Sequence, residues 1–331
     1  MSNKKSDTYN FHNKDNIFAI DHGNARNDTV FSSFPCGLAR SKSKPIFGED
    51  WIKYEDHYYS LSEEPQPYLK DKTENVNTIV YTLFGLVLDE QKAKINLKKP
   101  IIMAVGLPPL HMEALKEPFK QYLSNALRDV TFTYNGVTKR VRVDSVNVYP
   151  QAFSAVVASK PRIYNGEKKI ISQIFATHKR YVIVDIGGMT VDIIYFDGDK
   201  PIVEKSITVD LGTITMAESI QREVFRRIGY QIERRDIESL LTKEENIFPA
   251  ELVGVIEEAT QDWAEKIVNA VKGVVPDIRL IPIVFAGGGS LLLSEKIESL
   301  DHLPPMREFL KKTNANAEGY YLLESNRLKK G

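Results

Sequence analysis

Asp185, Gly187, Gly188 and Thr190 stand between two apolar runs, Tyr181 to Val184 and Val191 to Phe196. A carboxylate at the end of an apolar run, followed by paired glycines, reads as strand, tight turn, strand. Glycine permits the turn and lets a ligand approach the backbone, leaving N–H groups to face an anion. Asp185, at the mouth of that turn, is placed to hold a hydrated divalent cation beside bound phosphate. Taken alone, Asp-x-Gly-Gly fits an ordinary hairpin equally well, because turn glycines are common. A second copy shifts the balance: Asp21, Gly23 and Asn24 close the run Ile17 to Ile20, about half a chain earlier. Two such turns on duplicated halves can clamp one phosphate chain from both sides. A third glycine-rich turn, Gly287-Gly288-Gly289-Ser290, follows the run Leu280 to Phe285, and Gly212 opens a helix whose N-terminus could face phosphate.

The elements that must position these residues follow from patterning. The run Ile101 to Val105 shows no alternation, as expected of a strand in a sheet covered on both faces. Helices are expected over about 77–89, 112–127, 152–159, 215–228 and 251–273, with Trp263 in a core, and from Ser294 to about Leu310. The segment 131–147 reads as a hairpin around Asn135-Gly136, and 202–209 as a strand. A small subdomain is expected over about 35–91, with a hairpin flanking Glu55-Asp56-His57. Its aromatics suit strands better than base stacking.

The chain has 331 residues, enough for two moderate domains with ample cores. Its 44 Lys plus Arg balance 44 Asp plus Glu, which argues against direct nucleic-acid binding through bulk charge. The single cysteine, Cys36, cannot form an intrachain disulfide, and it reads as a small buried residue in a chain from a reducing, cytoplasmic compartment. No apolar run reaches the roughly 18 residues of a membrane span. Residues 1–16 are polar and read as a flexible tail without the apolar segment of a signal peptide.

The order Asp21-x-Gly23, Tyr149-Pro150-Gln151, Asp185-x-Gly187-Gly188-x-Thr190, Gly287-Gly288-Gly289 resembles the actin, sugar kinase and Hsp70 superfamily. Within it the chain is most similar to the ParM/StbA type of bacterial actin-like ATPases, and the motifs cover nearly all of it. The resemblance implies an α/β, actin-like, duplicated ribonuclease H-like fold of two domains, with a nucleotide in the interdomain cleft. Domain I would comprise 17–179 plus 312–331, and domain II 180–311. The resemblance also implies hydrolysis of ATP, or GTP, with Mg²⁺. Asp21 and Asp185 would organise the cation through its waters. Gly23, Asn24, Gly187, Gly188 and Thr190 would face the phosphates, and the Gly287–Ser290 turn the adenosine. Gln151, by position alone a first-turn residue of a helix, would orient the attacking water, as positioning dominates phosphoryl transfer elsewhere. Glu218, Arg222, Arg227 and Arg234 read as solvated helix charges, of which one or two could reach ribose or base, with nothing in the sequence to choose among them. The implied output is a filament of this chain that segregates plasmid DNA through a DNA-binding adaptor of the ParR type, with no membrane partner.

Two other readings stay open on this fold, a small-molecule or sugar kinase and a nucleotide-binding filament scaffold with little hydrolysis. The chain also departs from the family pattern. Where a lysine is usual, seven residues after the first-turn aspartate, it carries Asp28. Either Arg26, two positions earlier and on the same strand face, supplies the missing cation and pairs with Asp28, or the turn differs by a residue or two and Asp28 faces solvent.

Overall fold

The computed structural model describes residues 13–45, 50–64, 71–73, 76–164, 167–169, 171–198, 200–244 and 247–330. The chain divides into two units, one of residues up to 158 and from 316 onwards, the other of residues 159–315.

The first unit runs β1 (Ile17–His22), β2 (Arg26–Thr29), β3 (Ser33–Pro35), β4 (Gly37–Ser41), β5 (Trp51–Tyr54), β6 (His57–Ser62), α1 (Asn77–Gln91), β7 (Ile101–Leu107), α2 (Met112–Leu127), β8 (Val130–Tyr134), β9 (Val137–Val141), β10 (Val143–Pro150) and α3 (Phe153–Ser159). The second runs β11 (Arg162–Tyr164), β12 (Glu167–Lys169), α4 (Gln173–Thr177), β13 (Arg180–Ile186), β14 (Val191–Asp197), β15 (Lys200–Val209), α5 (Thr213–Ile228), α6 (Arg234–Thr242), α7 (Ala250–Val274), β16 (Ile283–Ala286), α8 (Gly288–Leu292), α9 (Ser294–Glu298) and β17 (Arg307–Phe309). Helix α10 (Ala315–Lys330) then returns the chain to the first unit.

Each unit is built on a five-stranded sheet of the same order, β3-β2-β1-β7-β10 in the first and β15-β14-β13-β16-β17 in the second. In both, an antiparallel three-strand meander feeds two parallel strands. The duplication expected from two Asp-x-Gly turns is therefore a duplication of topology.

Strand β1 is buried on both faces, and its alternation sorts the two sides. Phe18 and Ile20 join the core that α1 and α2 cover, whereas Ile17 and Ala19 join Ala104, Tyr320 and Tyr321 in a separate cluster beneath α10. Asp21 continues the Ile17–Ala19 row, and His22 continues the other. The α10 side of β7 tapers through Ile102 and Ala104 to Gly106, which lets the helix approach the carboxyl ends of the strands. In the second unit Val182, Val184 and Ile186 face a core built with α5 and α7, where Trp263 is buried.

Several expectations change. Residues 13–16 are no loose tail: Asn13 Oδ1 accepts from Ile17 N at 2.8 Å, and buried Asn16 Nδ2 donates to the carbonyls of Asn96 and Pro100, each at 2.9 Å. Residues 1–12 lie outside the described residues. The small sheet is not confined to 35–91, because its order β4-β6-β5-β8-β9 recruits the Asn135-Gly136 hairpin. Trp51 N donates to Asn135 Oδ1 at 2.9 Å, and Asn135 and Gly136 take φ of 47° and 86°, as such a turn requires. The division near 158 rather than 179 has a local cause: Glu308 Oε1 accepts from Gln173 N and Ile174 N at 2.9 and 3.0 Å, tying α4 to β17. Past Ser294 the helix stops at Glu298, and Pro304-Pro305 precede strand β17. There Phe309 stacks on Phe285 at 4.7 Å.

Candidate functional site

Both meanders carry the same polar ladder. In the first, Asp21 on β1 lies directly opposite Asp28 on β2, and Asp28 opposite Ser33 on β3. In the second, Asp185 on β13 lies opposite Asp192 on β14, and Asp192 opposite Thr208 on β15. The outer aspartate of each ladder accepts a hydroxyl from the third strand, Asp192 from Thr208 Oγ1 at 2.5 Å and Asp28 from Ser33. Asp28 is thus the counterpart of Asp192. The turn glycines also match: a Cβ on Gly23 would lie 2.2 Å from the carbonyl oxygen of Arg26, and one on Gly187 3.1 Å from that of Thr190.

In the first unit Asp21 Oδ1 accepts two hydrogen bonds, from Gln151 Nε2 at 2.6 Å and from the Tyr320 hydroxyl at 3.2 Å. Gln151 reaches it because β10 ends beside β7, where Gln151 N donates to the Leu107 carbonyl at 2.9 Å. Burial pushes the Asp28 carboxyl up to about 6; the Ser33 hydroxyl opposes the shift and the Asp21 charge adds to it. Arg26 is exposed and donates through Nε to Ser33 Oγ at 2.9 Å, so it meets Asp28 across that hydroxyl. A cation that patterning missed lies nearer: Lys72 Nζ donates to the His22 carbonyl. Burial lowers the Lys72 ammonium from its ordinary value, and Asp21 pulls the other way. Nothing local marks Lys72, since it enters from a segment fifty residues away. His22 is fully buried, with Nε2 against Thr82 Oγ1 at 2.9 Å, and burial holds its pKa well below the ordinary value.

In the second unit the amide of Gly187 closes its own turn onto Thr190 O at 2.9 Å, as Gly23 N does onto Asp21 O at 3.1 Å. The central amides of the two turns, on Gly188 and Asn24, have no protein acceptor among the described residues. Gly212 does not offer a phosphate donor. Its N–H goes to Met189 O at 3.0 Å, those of Thr213 and Ile214 go to Gly187 O and Gly188 O at 3.0 and 2.7 Å, and a Cβ on Gly212 would lie 2.4 Å from the Gly188 carbonyl. The first turn of α5 therefore clamps the Gly187–Thr190 loop. Gly287 takes φ of 80°, and a Cβ there would lie 2.5 Å from Asp185 Oδ1. Gly289 lacks room for a Cβ against Ile186 and Thr213, Gly288 is open, and the buried Ser290 hydroxyl donates to Gly287 O at 2.8 Å. Ser290 thus caps the turn from within.

Among the described residues no group of three or more His, Cys, Asp or Glu could ligate a metal directly. The carboxylates suit a hydrated cation instead. Among the described residues, both side-chain bonds to the Asp21 carboxylate fall on Oδ1 and none on Oδ2.

Solved structures of the same architecture exist. An archaeal actin homologue, Ta0583, superposes with a TM-score of 0.71 at 15% identity, covering 94% of this chain and 99% of that one. The chain has an actin-like fold. A 15-stranded ParM filament from Clostridium botulinum gives 0.69 at 19% identity (94% and 99% covered), and Bacillus thuringiensis ParM with ATP gives 0.61 at 16% (95% and 99%). Ta0583 has also been solved in complex with ADP. Residues 183–299 match the family model of the archaeal MreB-like actin homologue, C-terminal part. No curated protein matches the chain in sequence. Among the described residues no helix is long and apolar enough to cross a membrane.

Proposed function

We propose that this chain is a ParM-like filament-forming ATPase. The observation that carries the reading is the repeated ladder, Asp21–Asp28–Ser33 and Asp185–Asp192–Thr208, each beside a glycine turn whose central amide lacks a protein acceptor among the described residues. A triphosphate suits such a pair of turns, because backbone donors recognise anions and the aspartates suit a hydrated cation.

In this reading Asn24 and Gly188 donate to phosphate oxygens, Thr190 adds a hydroxyl, and the Gly287–Ser290 turn lies against the adenosine. Asp21 and Asp185 accept from waters of Mg²⁺, which when bound neutralises phosphate charge. Gln151 orients the attacking water, a task that needs a neutral donor and acceptor rather than a strong base. Lys72 joins Arg26 as a source of positive charge at the first turn, offsetting Asp28. Polymerisation coupled to this cycle, in the cytoplasm, would move plasmid DNA through a DNA-binding adaptor. The relatives solved as a ParM filament and as ParM with ATP support that reading.

Pelleting and phosphate release, measured together with ATP or GTP and Mg²⁺ and no acceptor, test it. Nucleotide-dependent pelleting followed by phosphate release is expected. Release without pelleting, or pelleting without release, would overturn one half of the reading each.

A further inference from the structure

We propose that Tyr320, on the C-terminal helix α10, is a positioning residue that keeps Asp21 oriented while Gln151 exchanges between Asp21 and the substrate water. This deepens the nucleotide reading above and rests on it. The two donors share one acceptor atom, Asp21 Oδ1, at 2.6 Å from Gln151 Nε2 and 3.2 Å from the Tyr320 hydroxyl. One carboxylate oxygen has room for two such donors, so Oδ1 is filled, and Oδ2, which accepts from none of the described residues, is left for a cation's water. Gln151 Nε2 keeps a second N–H, and Oε1 is an acceptor, so the amide can meet water while bonded to Asp21 or on turning away from it. Whenever it turns away, a carboxylate held by Gln151 alone would lose its orientation.

The two donors differ in how firmly they are held. Gln151 is half-buried just beyond the end of β10, beside Ala152 at φ 54°. Tyr320 is fully buried and stacks on Tyr149 at 6.4 Å. The Tyr149 hydroxyl donates at 2.5 Å to Glu324 one turn along α10, and Arg327 Nε donates to the same carboxylate at 3.1 Å. The strand beneath is shaped for Tyr320. A Cβ on Gly106 would lie 2.0 Å from the Tyr320 hydroxyl oxygen and 2.2 Å from its Cζ. Glycine inside a buried strand weakens it, and here the missing side chain gives the Tyr320 ring its path to Asp21.

Tyr320→Phe removes the hydroxyl and keeps the ring. It is expected to melt within a few degrees of the wild type and to raise by about tenfold the Mg²⁺ concentration for half-maximal ATP binding, as the loss of one bond to a charged acceptor implies. Affinity in EDTA should stay unchanged, and KM for Mg²⁺·ATP should rise more than kcat falls. Gln151→Ala should instead lower kcat with little change in affinity, and the double variant should exceed the product of the two Mg²⁺ shifts. An Mg²⁺ requirement within threefold of wild type, an equal loss of affinity in EDTA, or failure of Tyr320→Phe to fold would overturn the proposal. A urea double-mutant cycle of Tyr320→Phe with Asp21→Ala, which removes the acceptor, run without nucleotide, reads the bond itself. A wild type that binds no ATP but shows coupling in that cycle sinks the nucleotide reading and leaves the Tyr320–Asp21 contact standing. Additivity in the cycle sinks the contact.

Discussion

At the scale of single residues, the two outer aspartates of the ladders explain a substitution that local reading leaves awkward. Asp28 occupies a position where similarity to ParM-like chains leads one to expect lysine, yet it matches Asp192 in strand position, in its facing aspartate and in its hydroxyl donor. Its charge is disfavoured in the fold. A carboxyl raised to about 6 from 3.8 favours the protonated form, so ionised Asp28 costs stability above about pH 6, and that cost fades as pH falls towards 3.8. Asp28→Asn should therefore stabilise the chain at pH 7.5 by on the order of 1–3 kcal/mol and by much less at pH 4.5, read as urea midpoints. Buried His22 has the opposite sense. Its lowered pKa favours the neutral ring, and its contribution is full above about 6.5 and lost as pH falls below that. His22→Gln should shrink the acid-side loss of stability. The placement of Asp21 and Asp185 on strands that run into glycine turns was legible from the sequence. The contacts of Lys72 with the His22 carbonyl and of Tyr320 with Asp21 were not, because each arrives from a distant part of the chain, and strand periodicity says nothing of such contacts. Lys72→Met is expected to weaken ATP binding several-fold more than Arg26→Ala, whose partner is the exposed Ser33 hydroxyl; equal effects in calorimetry would remove Lys72 from the site.

Among the elements, the long helices and the buried strands β1, β7 and β13 follow from apolar patterning, because each buries a face of its own residues. The misread stretch after Ser294 shows the limit. Leu303, Met306 and Phe309 give helix-like spacing, but Pro304 and Pro305 stop a helix and β17 completes the sheet through pairing with β16. The role of α5 was also obscured, since its first amides serve the Gly187–Thr190 loop. That clamp is tight enough to test. Gly212→Ala places a Cβ against the Gly188 carbonyl and should destabilise the chain by about 1–3 kcal/mol while loosening the turn for ligand. Loss of ATP affinity beyond that of wild type at matched folded fraction is the expected calorimetric result. At α10, Gly319 has its close contact with the Ser154 carbonyl, where a Cβ would lie 2.0 Å from the oxygen. Gly319→Ala should lower the urea midpoint by a comparable amount.

For the molecule as a whole, the duplication was legible from two Asp-x-Gly turns about half a chain apart, and the common sheet order gives it physical form. What patterning could not supply was the third strand of each meander as the partner of the outer aspartate. In the proposed function the two matching turns serve one nucleotide rather than two. Titration calorimetry of Mg²⁺·ATP into the wild type, Asp21→Ala and Asp185→Ala tests it most directly. One nucleotide per chain is expected, with each single substitution weakening that same site by at least about tenfold, or about 1.4 kcal/mol. A stoichiometry of two, or one variant that binds as the wild type does, would contradict it.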